Sequence, residues 1–137
     1  MTLVFHLRFS GLLLILLGLA HSRFGQYLNW RSDLPKLALV NRQIFLVHCF
    51  YIALMLGMMG SLCLFLPAIL LEGQPLSQMV LGGMTLVWGS RLLIQWFIFD
   101  RALWRDHRLN RRIHYLLTAL WTYLTAVDAF ALARALR

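Results

Sequence analysis

The stretch from Leu81 to Asp100 is long and apolar enough to cross a lipid bilayer, yet it contains Arg91 and Gln95. An arginine at the centre of a membrane helix costs about 2.5–3.5 kcal/mol on insertion scales, so such residues usually point into a helix bundle. Trp88, Arg91 and Gln95 follow the i, i+3, i+7 spacing of a single helical face. The sequence therefore predicts a membrane helix whose polar face is covered by other helices.

The composition agrees with a membrane environment. Hydrophobic residues make up 61% of the chain and the mean hydropathy is +0.71, which lies outside the range of ordinary soluble domains. The net charge is +8, but the basic residues fall between apolar segments and do not line one solvated face. We therefore interpret them as topology signals and expect no nucleic-acid partner.

Four apolar segments predict an all-α fold, a four-transmembrane-helix bundle with short loops in a single integral membrane domain over residues 1–137. The predicted helices span about residues 3–20, 42–66, 76–99 and 112–132. Residues 21–41 are more polar and are expected to form an interfacial loop with a short helix starting near Asp33. Glu72-Gly73-Gln74 predicts a turn before the third helix.

The basic residues predict the orientation of these helices. The first and third loops contain Arg23, Arg31, Lys36, Arg42, Arg101, Arg105, Arg108, Arg111 and Arg112. The termini contain only Arg8, Arg134 and Arg137. The positive-inside rule then places both loops in the cytoplasm and both termini outside. The alternative, that the first segment is a cleaved signal peptide, would put the first loop outside, so a retained helix is favoured.

Two further helical faces carry information. Gly11 and Gly18 share a face with Arg8 in the first segment, and small residues allow membrane helices to approach closely. In the fourth segment the polar residues fall on one stripe, formed by His114, Thr118, Trp121, Thr125 and Asp128. Both patterns predict faces that contact other helices.

Helical rise places several polar groups at similar depth in the cytoplasmic leaflet. The predicted ligand-binding site consists of His48, Tyr51, Trp88, Arg91, Gln95 and His114. In one interpretation this layer is a pocket that receives the polar head of an amphipathic ligand, while Phe45, Met55, Trp88 and Trp96 surround its apolar tail. In the other it is a buried hydrogen-bond network that fixes the register of the helices.

Other polar side chains are expected to have structural roles. They are Asn41, Arg42, Gln43, Arg8, Asp128 and Asp100. Asn41 is the predicted N-cap of the second helix. Arg8 and Asp128 lie at similar depth near the opposite membrane surface and are predicted to pair.

Two histidines suggest a different chemistry. His48 and His114 begin helices that run in the same direction, and facing imidazoles ligate haem iron in other membrane bundles. No two of His48, His114 and Asp100 share a helix at ligand spacing, so no metal site is predicted. Neither Ser90 nor Cys49 has a base and an orienting group around it, and the sequence leaves open whether the protein is an enzyme.

Two segments carry a resemblance to known proteins. LVNRQIFLVHCFYI (39–52) and VWGSRLLIQWFIFDRALWR (87–105), followed by His114, resemble a family of small bacterial four-helix inner-membrane proteins without an assigned activity. The resemblance runs from Trp30 to Trp121, and its pattern falls on Asn41, Arg42, Gln43, His48, Trp88, Arg91, Gln95, Trp104 and His114. It implies a multi-pass protein of the bacterial inner membrane. The layout is also similar to that of DoxX-like proteins, at the level of the fold alone.

The sequence thus predicts an accessory or binding protein of the inner membrane whose pocket takes an amphipathic ligand such as a quinone or a lipid. A membrane electron carrier or small enzyme that uses His48 and His114, with haem or a metal, is the first alternative. A purely structural subunit of a membrane complex is the second. The expected partners are the lipid bilayer and either other membrane subunits or further copies of the chain.

Overall fold

A computed structural model of the chain describes residues 2–100 and 108–137. The described residues are 89% helical and contain no strand, which confirms the predicted all-α fold. Three residues used above, Arg101, Trp104 and Arg105, lie outside the described residues.

Six α-helices follow one another along the described chain. They are α1 (Thr2–Tyr27), α2 (Trp30–Asp33), α3 (Leu39–Phe65), α4 (Pro67–Leu70), α5 (Pro75–Phe97) and α6 (Arg108–Ala135). A 3-10 turn, Leu34–Lys36, follows α2. The four long helices correspond to the four predicted segments. Helix α1 extends further than predicted because residues 21–27 contain no proline and Ser22 donates its hydroxyl hydrogen to the Leu19 carbonyl within the helix.

Three of the long helices are long and apolar enough to cross a membrane. The candidate spans are Thr2–Arg23, Leu39–Phe65 and Arg108–Ala135. Helix α5 has a similar length but is not among them, since Arg91, Gln95 and three glycines lower its mean hydropathy. The three apolar helices therefore indicate a membrane protein.

The chain forms two compact units. One combines the start of α1, as far as His6, with Ala68–Arg137, and the other is Leu7–Pro67. The α5–α6 pair forms most of the first unit, and α1 with α3 forms most of the second. The single domain over residues 1–137 stays a prediction.

In the Leu7–Pro67 unit, glycines bring α1 and α3 into backbone contact. A Cβ atom on Gly11 would lie 2.5 Å from the carbonyl oxygen of Gly60 and 2.6 Å from the Leu64 nitrogen. A Cβ on Gly18 would lie 3.1 Å from the Ala53 carbonyl oxygen. Only glycine fits at Gly11, because the atoms it meets are backbone. The predicted close approach along the Gly11 and Gly18 face is confirmed.

The segment before α3 differs from the prediction in detail. Helix α3 begins at Leu39 with Ala38 as its N-cap, so Asn41 lies inside the first turn and is not the cap. The backbone is extended at Leu37 and enters helical geometry earlier than the position of Asn41 suggested. Before this point, Lys36 Nζ donates a hydrogen bond to Asp33 Oδ1 at 2.9 Å and holds the pKa of that exposed carboxyl below its usual value. An exposed pair of this kind contributes little to stability.

In the other unit, one side chain ties the turn before α5 to the end of α6. Gly73 adopts a φ of 74°, which confirms the predicted turn, and Pro75 opens α5. Gln78 Nε2 donates to the carbonyl oxygens of Gly73 (2.9 Å) and Ala135 (3.0 Å). The amide thus satisfies a carbonyl at the C-terminal end of α6 and holds α5 and α6 antiparallel.

The crossing of α1 and α3 yields a direct test. We expect Gly11→Ala to lower the free energy of unfolding by about 1–3 kcal/mol, because the added methyl group forces the two backbones apart. Gly57→Ala is the matched control: a Cβ there has no atom within 4 Å. We expect that control to be neutral or to stabilise α3 by about 0.5–1 kcal/mol through helix propensity. Thermal unfolding in detergent micelles measures both, and equal effects would contradict the close crossing.

Candidate functional site

The polar layer of the first unit is built on a hydrogen bond between α5 and α6. Gln95 Nε2 lies 2.7 Å from His114 Nδ1, and the Gln95 side chain is almost completely buried. Arg91 Nη1 donates to Gln95 Oε1 from one turn earlier on α5, at 3.5 Å. Three of the six predicted site residues therefore form one connected group.

Arg91 determines the direction of the hydrogen bonds in this group, because it fixes the orientation of the Gln95 amide. A guanidinium group only donates hydrogen bonds, so the amide oxygen of Gln95 faces Arg91 and the amide nitrogen faces His114. The Nδ1 atom of His114 is then the acceptor of this hydrogen bond. The direction of donation runs from Arg91 through Gln95 to His114.

Aromatic rings surround the same layer. Trp88 and Trp121 stack with an interplanar angle of 4° and ring centroids 5.5 Å apart. The guanidinium carbon of Arg91 lies 5.2 Å from the centroid of the Trp121 ring and 5.3 Å from that of Phe99. These distances are within the range of cation–π attraction, which supplies part of the stabilisation that a carboxylate would otherwise give.

Most donors of Arg91 have no acceptor in the described part of the chain. The side chain is half-buried, its single hydrogen bond there is the long contact to Gln95, and no described residue forms an ion pair with it. Arginine carries five N–H donors in a planar fork. The site therefore presents a partly desolvated cation whose remaining donors are available to an acceptor oxygen.

Trp88, a further residue of the predicted site, is buried and stacks on Trp121. Trp96 is exposed, on a different side of α5 from Gln95. Because Trp96 is adjacent in sequence to Gln95, it projects about 100° away from Gln95 around the helix. Its expected contact with the apolar tail of a ligand stays a prediction.

His48 and Tyr51 belong to the other unit and are exposed on α3. His48 Nδ1 lies 2.8 Å from the carbonyl oxygen of Ile44 in its own helix. Phe45 and Met55 are likewise exposed. The participation of His48 and Tyr51 in a site with Arg91, and the haem hypothesis that joins His48 to His114, stay predictions.

The residues expected to have structural roles fall into two groups. The exposed or half-exposed ones are Arg8, Asn41, Arg42, Gln43 and Asp100. Asp128 is the exception: its side chain is 1% exposed and neither carboxylate oxygen has a hydrogen-bond partner. The sequence predicted that Asp128 pairs with Arg8. No hydrogen bond at the Asp128 carboxylate supports that pair.

The α6 stripe is confirmed as an inward face. Its members, from His114 to Asp128, are buried or half-buried, and the Cβ position of Gly89 on α5 lies 3.7 Å from a methyl carbon of Thr125. Each threonine on the stripe donates its hydroxyl hydrogen to the carbonyl four residues earlier, Thr118 to His114 and Thr125 to Trp121. The stripe is thereby adapted to an apolar surrounding, since its hydroxyl groups are satisfied within the helix.

Two residues of the site were not predicted from the sequence. Phe99 continues the i, i+4, i+8 series of Arg91 and Gln95, so helical spacing contained the signal. Trp121 was assigned to the α6 stripe but not to the site, although it follows His114 at i+7 just as Gln95 follows Trp88. Antiparallel pairing of the two faces would have brought Trp121 to Trp88.

Comparison with protein-family models, with curated proteins and with solved structures finds no match for this chain. Within residues 2–100 and 108–137, no three His, Cys, Asp or Glu side chains lie close enough together to hold a metal ion. The geometry of the α5–α6 pair is therefore the main indication of function.

Proposed function

We propose that the protein is a multi-pass integral protein of the bacterial inner membrane that binds the polar head of an amphipathic ligand, a quinone or a lipid, at the layer formed by Arg91, Gln95 and His114. Both termini lie outside, and α5 crosses the membrane with α1, α3 and α6. The observation that carries the proposal is the half-buried Arg91 guanidinium, most of whose donors have no acceptor among residues 2–100 and 108–137.

The level of this layer supports a ligand that has a polar head. Arg91 lies six residues before the end of α5, and His114 lies six residues after the start of α6. At 1.5 Å per residue each is about 9 Å from the end of its helix. A lipid phosphate or a quinone carbonyl near the membrane surface reaches this level while its apolar tail stays in hydrocarbon.

The chemistry of the layer supports an acceptor oxygen as the group that is bound. Arg91 offers planar N–H donors in a partly desolvated setting, where a charge-assisted hydrogen bond is stronger than in water. The rings of Trp121 and Phe99 hold the guanidinium in place. A cation of this kind favours a phosphate or a polarised carbonyl over an apolar or cationic ligand.

A structural role is the second candidate, and specific contacts favour it. The Gln95–His114 hydrogen bond and the Trp88–Trp121 stack both join α5 to α6 without any ligand. If joining α5 to α6 is the only role of these residues, the protein is a structural subunit whose polar groups fix the register of the helices. The two candidates differ in what happens when Arg91 is removed.

We expect Arg91→Leu to fold at least as well as the wild type while losing the bound amphiphile. The substitution recovers part of the insertion cost of about 2.5–3.5 kcal/mol and removes the group that holds the ligand. Gln95→Leu should act in the same direction more weakly. The measurement is thermal unfolding together with mass-spectrometric quantification of the quinone and phospholipid that co-purify per protein.

Arg112→Leu is the matched control, because Arg112 is an exposed arginine near the start of α6. It should retain the amphiphile of the wild type. Loss of quinone alone in Arg91→Leu identifies a quinone head, and loss of phospholipid alone identifies a lipid head. A destabilised Arg91→Leu that keeps its full complement of ligand contradicts the binding site and favours the register-fixing network.

The proposed orientation has its own test, which first requires replacement of both cysteines of the chain, Cys49 and Cys63, by alanine. A cysteine introduced at Arg108 should then react with an impermeant maleimide only from the cytoplasmic side, and one introduced at Gln74 only from outside. Both positions are exposed in the structure. Labelling from the reverse sides would overturn the orientation.

A further inference from the structure

Asp128 is a buried carboxyl group that the proposed binding site does not use. Its side chain is 1% exposed, and both oxygens lack a hydrogen-bond partner. It lies on α6, a candidate membrane span, fourteen residues beyond His114 and so about 21 Å along the helix from the Arg91 layer. It is therefore a separate feature of the α5–α6 pair.

The register of the two helices gives its surroundings. Gln95 meets His114, and seven residues further along each helix Trp88 meets Trp121. One further step of seven places Asp128 opposite Leu81, which is fully buried. The carboxyl group therefore lies against an aliphatic part of α5.

Polar groups near Leu81 are engaged elsewhere. Ser77 donates to the Ile69 carbonyl and Thr85 to the Leu81 carbonyl, each at 2.8 Å. The donors of the Gln78 amide are directed to the turn before α5 and to the end of α6. None of these side chains donates a hydrogen bond to Asp128.

In the part of the first unit that the structure describes, no cationic group balances a charge on Asp128. Helix α5 has no ionisable side chain before Arg91, and α4 has none. At the start of α1, His6 Nδ1 lies 2.9 Å from the hydroxyl group of Tyr123 on α6. Glu72 and Arg134 are exposed. An ionised carboxylate in such a setting, with neither a counterion nor a donor, is far less stable than a neutral acid.

We propose that Asp128 is a proton-binding site within the membrane, occupied by H⁺ so that the side chain is a neutral carboxylic acid in the folded protein. A proton needs a single oxygen, whereas Na⁺, Mg²⁺ or Ca²⁺ needs several oxygen ligands around it. The absence of a hydrogen-bonding neighbour at either oxygen favours the proton. Release of that proton leaves a charge in the α5–α6 contact, so it requires water or a cation to enter there.

Infrared spectroscopy of the protein purified in an ester-free detergent tests the proposal. The wild type should show the C=O stretch of a protonated carboxyl group, shifted by ¹³C-aspartate labelling and lost in Asp128→Asn. Glu72→Gln should leave the band unchanged. Absence of a protonated-carboxyl band from folded wild type, or its persistence in Asp128→Asn, overturns the proposal.

Thermal unfolding supplies a second readout that separates a proton from an ion pair. Asparagine reproduces the shape and neutrality of the acid, so Asp128→Asn should unfold at the wild-type temperature. If a cation such as Arg8 pairs with an ionised Asp128, Asp128→Asn strands that cation and lowers the unfolding temperature, which contradicts the proposal. Arg8→Gln should leave the infrared band in place, because the proton and not Arg8 neutralises the carboxyl group.

Discussion

The arrangement of α5 and α6 depends on the hydrogen bond between Gln95 and His114. A polar side chain in an apolar interface is stable only when its donors and acceptors are met, and here an amide and an imidazole meet each other at 2.7 Å. That contact sets the register of the two helices. The Trp88–Trp121 stack lies one step of seven residues further along, and the burial of Asp128 against the Leu81 level follows from the next step. A different register would separate all three pairs at once.

Arg91 carries a charge that the packing of α5 against α6 does not neutralise. It directs the Gln95 amide and is held by the Trp121 and Phe99 rings, yet it has no described counterion. Asp128 has the opposite character, since it is deep, apolar in its surroundings and most stable without charge. The α5–α6 pair therefore combines a half-exposed cation near one end with a neutral buried acid toward the other. A ligand head group suits the first position and a proton suits the second.

Helical periodicity was enough to predict much of this pair from the sequence. The spacing of Trp88, Arg91 and Gln95 gave the face of α5, and the polar stripe gave the face of α6 that contains His114. Gly11 similarly marked the face of α1 that touches α3. In each case the spacing of residues along one helix indicates which of its faces packs against protein and not against lipid. That inference needs no knowledge of the neighbouring helix.

What the sequence could not give is the lateral position of one helix relative to another. Depth estimates put His48 at the level of Gln95, but depth along a helix does not show whether two side chains on different helices meet, so a shared site stays a prediction. The start of α3 was misjudged at Asn41 because a good capping residue is a weak signal against the extended backbone that precedes Leu39.

A double-mutant cycle on Gln95 and His114 tests the central claim that their hydrogen bond joins α5 to α6. The unfolding free energies of the wild type, Gln95→Leu, His114→Leu and the double variant isolate the coupling between the two side chains from their other contacts. The account predicts a favourable coupling of about 0.6–2 kcal/mol, the range of hydrogen bonds between membrane helices. Strictly additive effects of the two substitutions would contradict it.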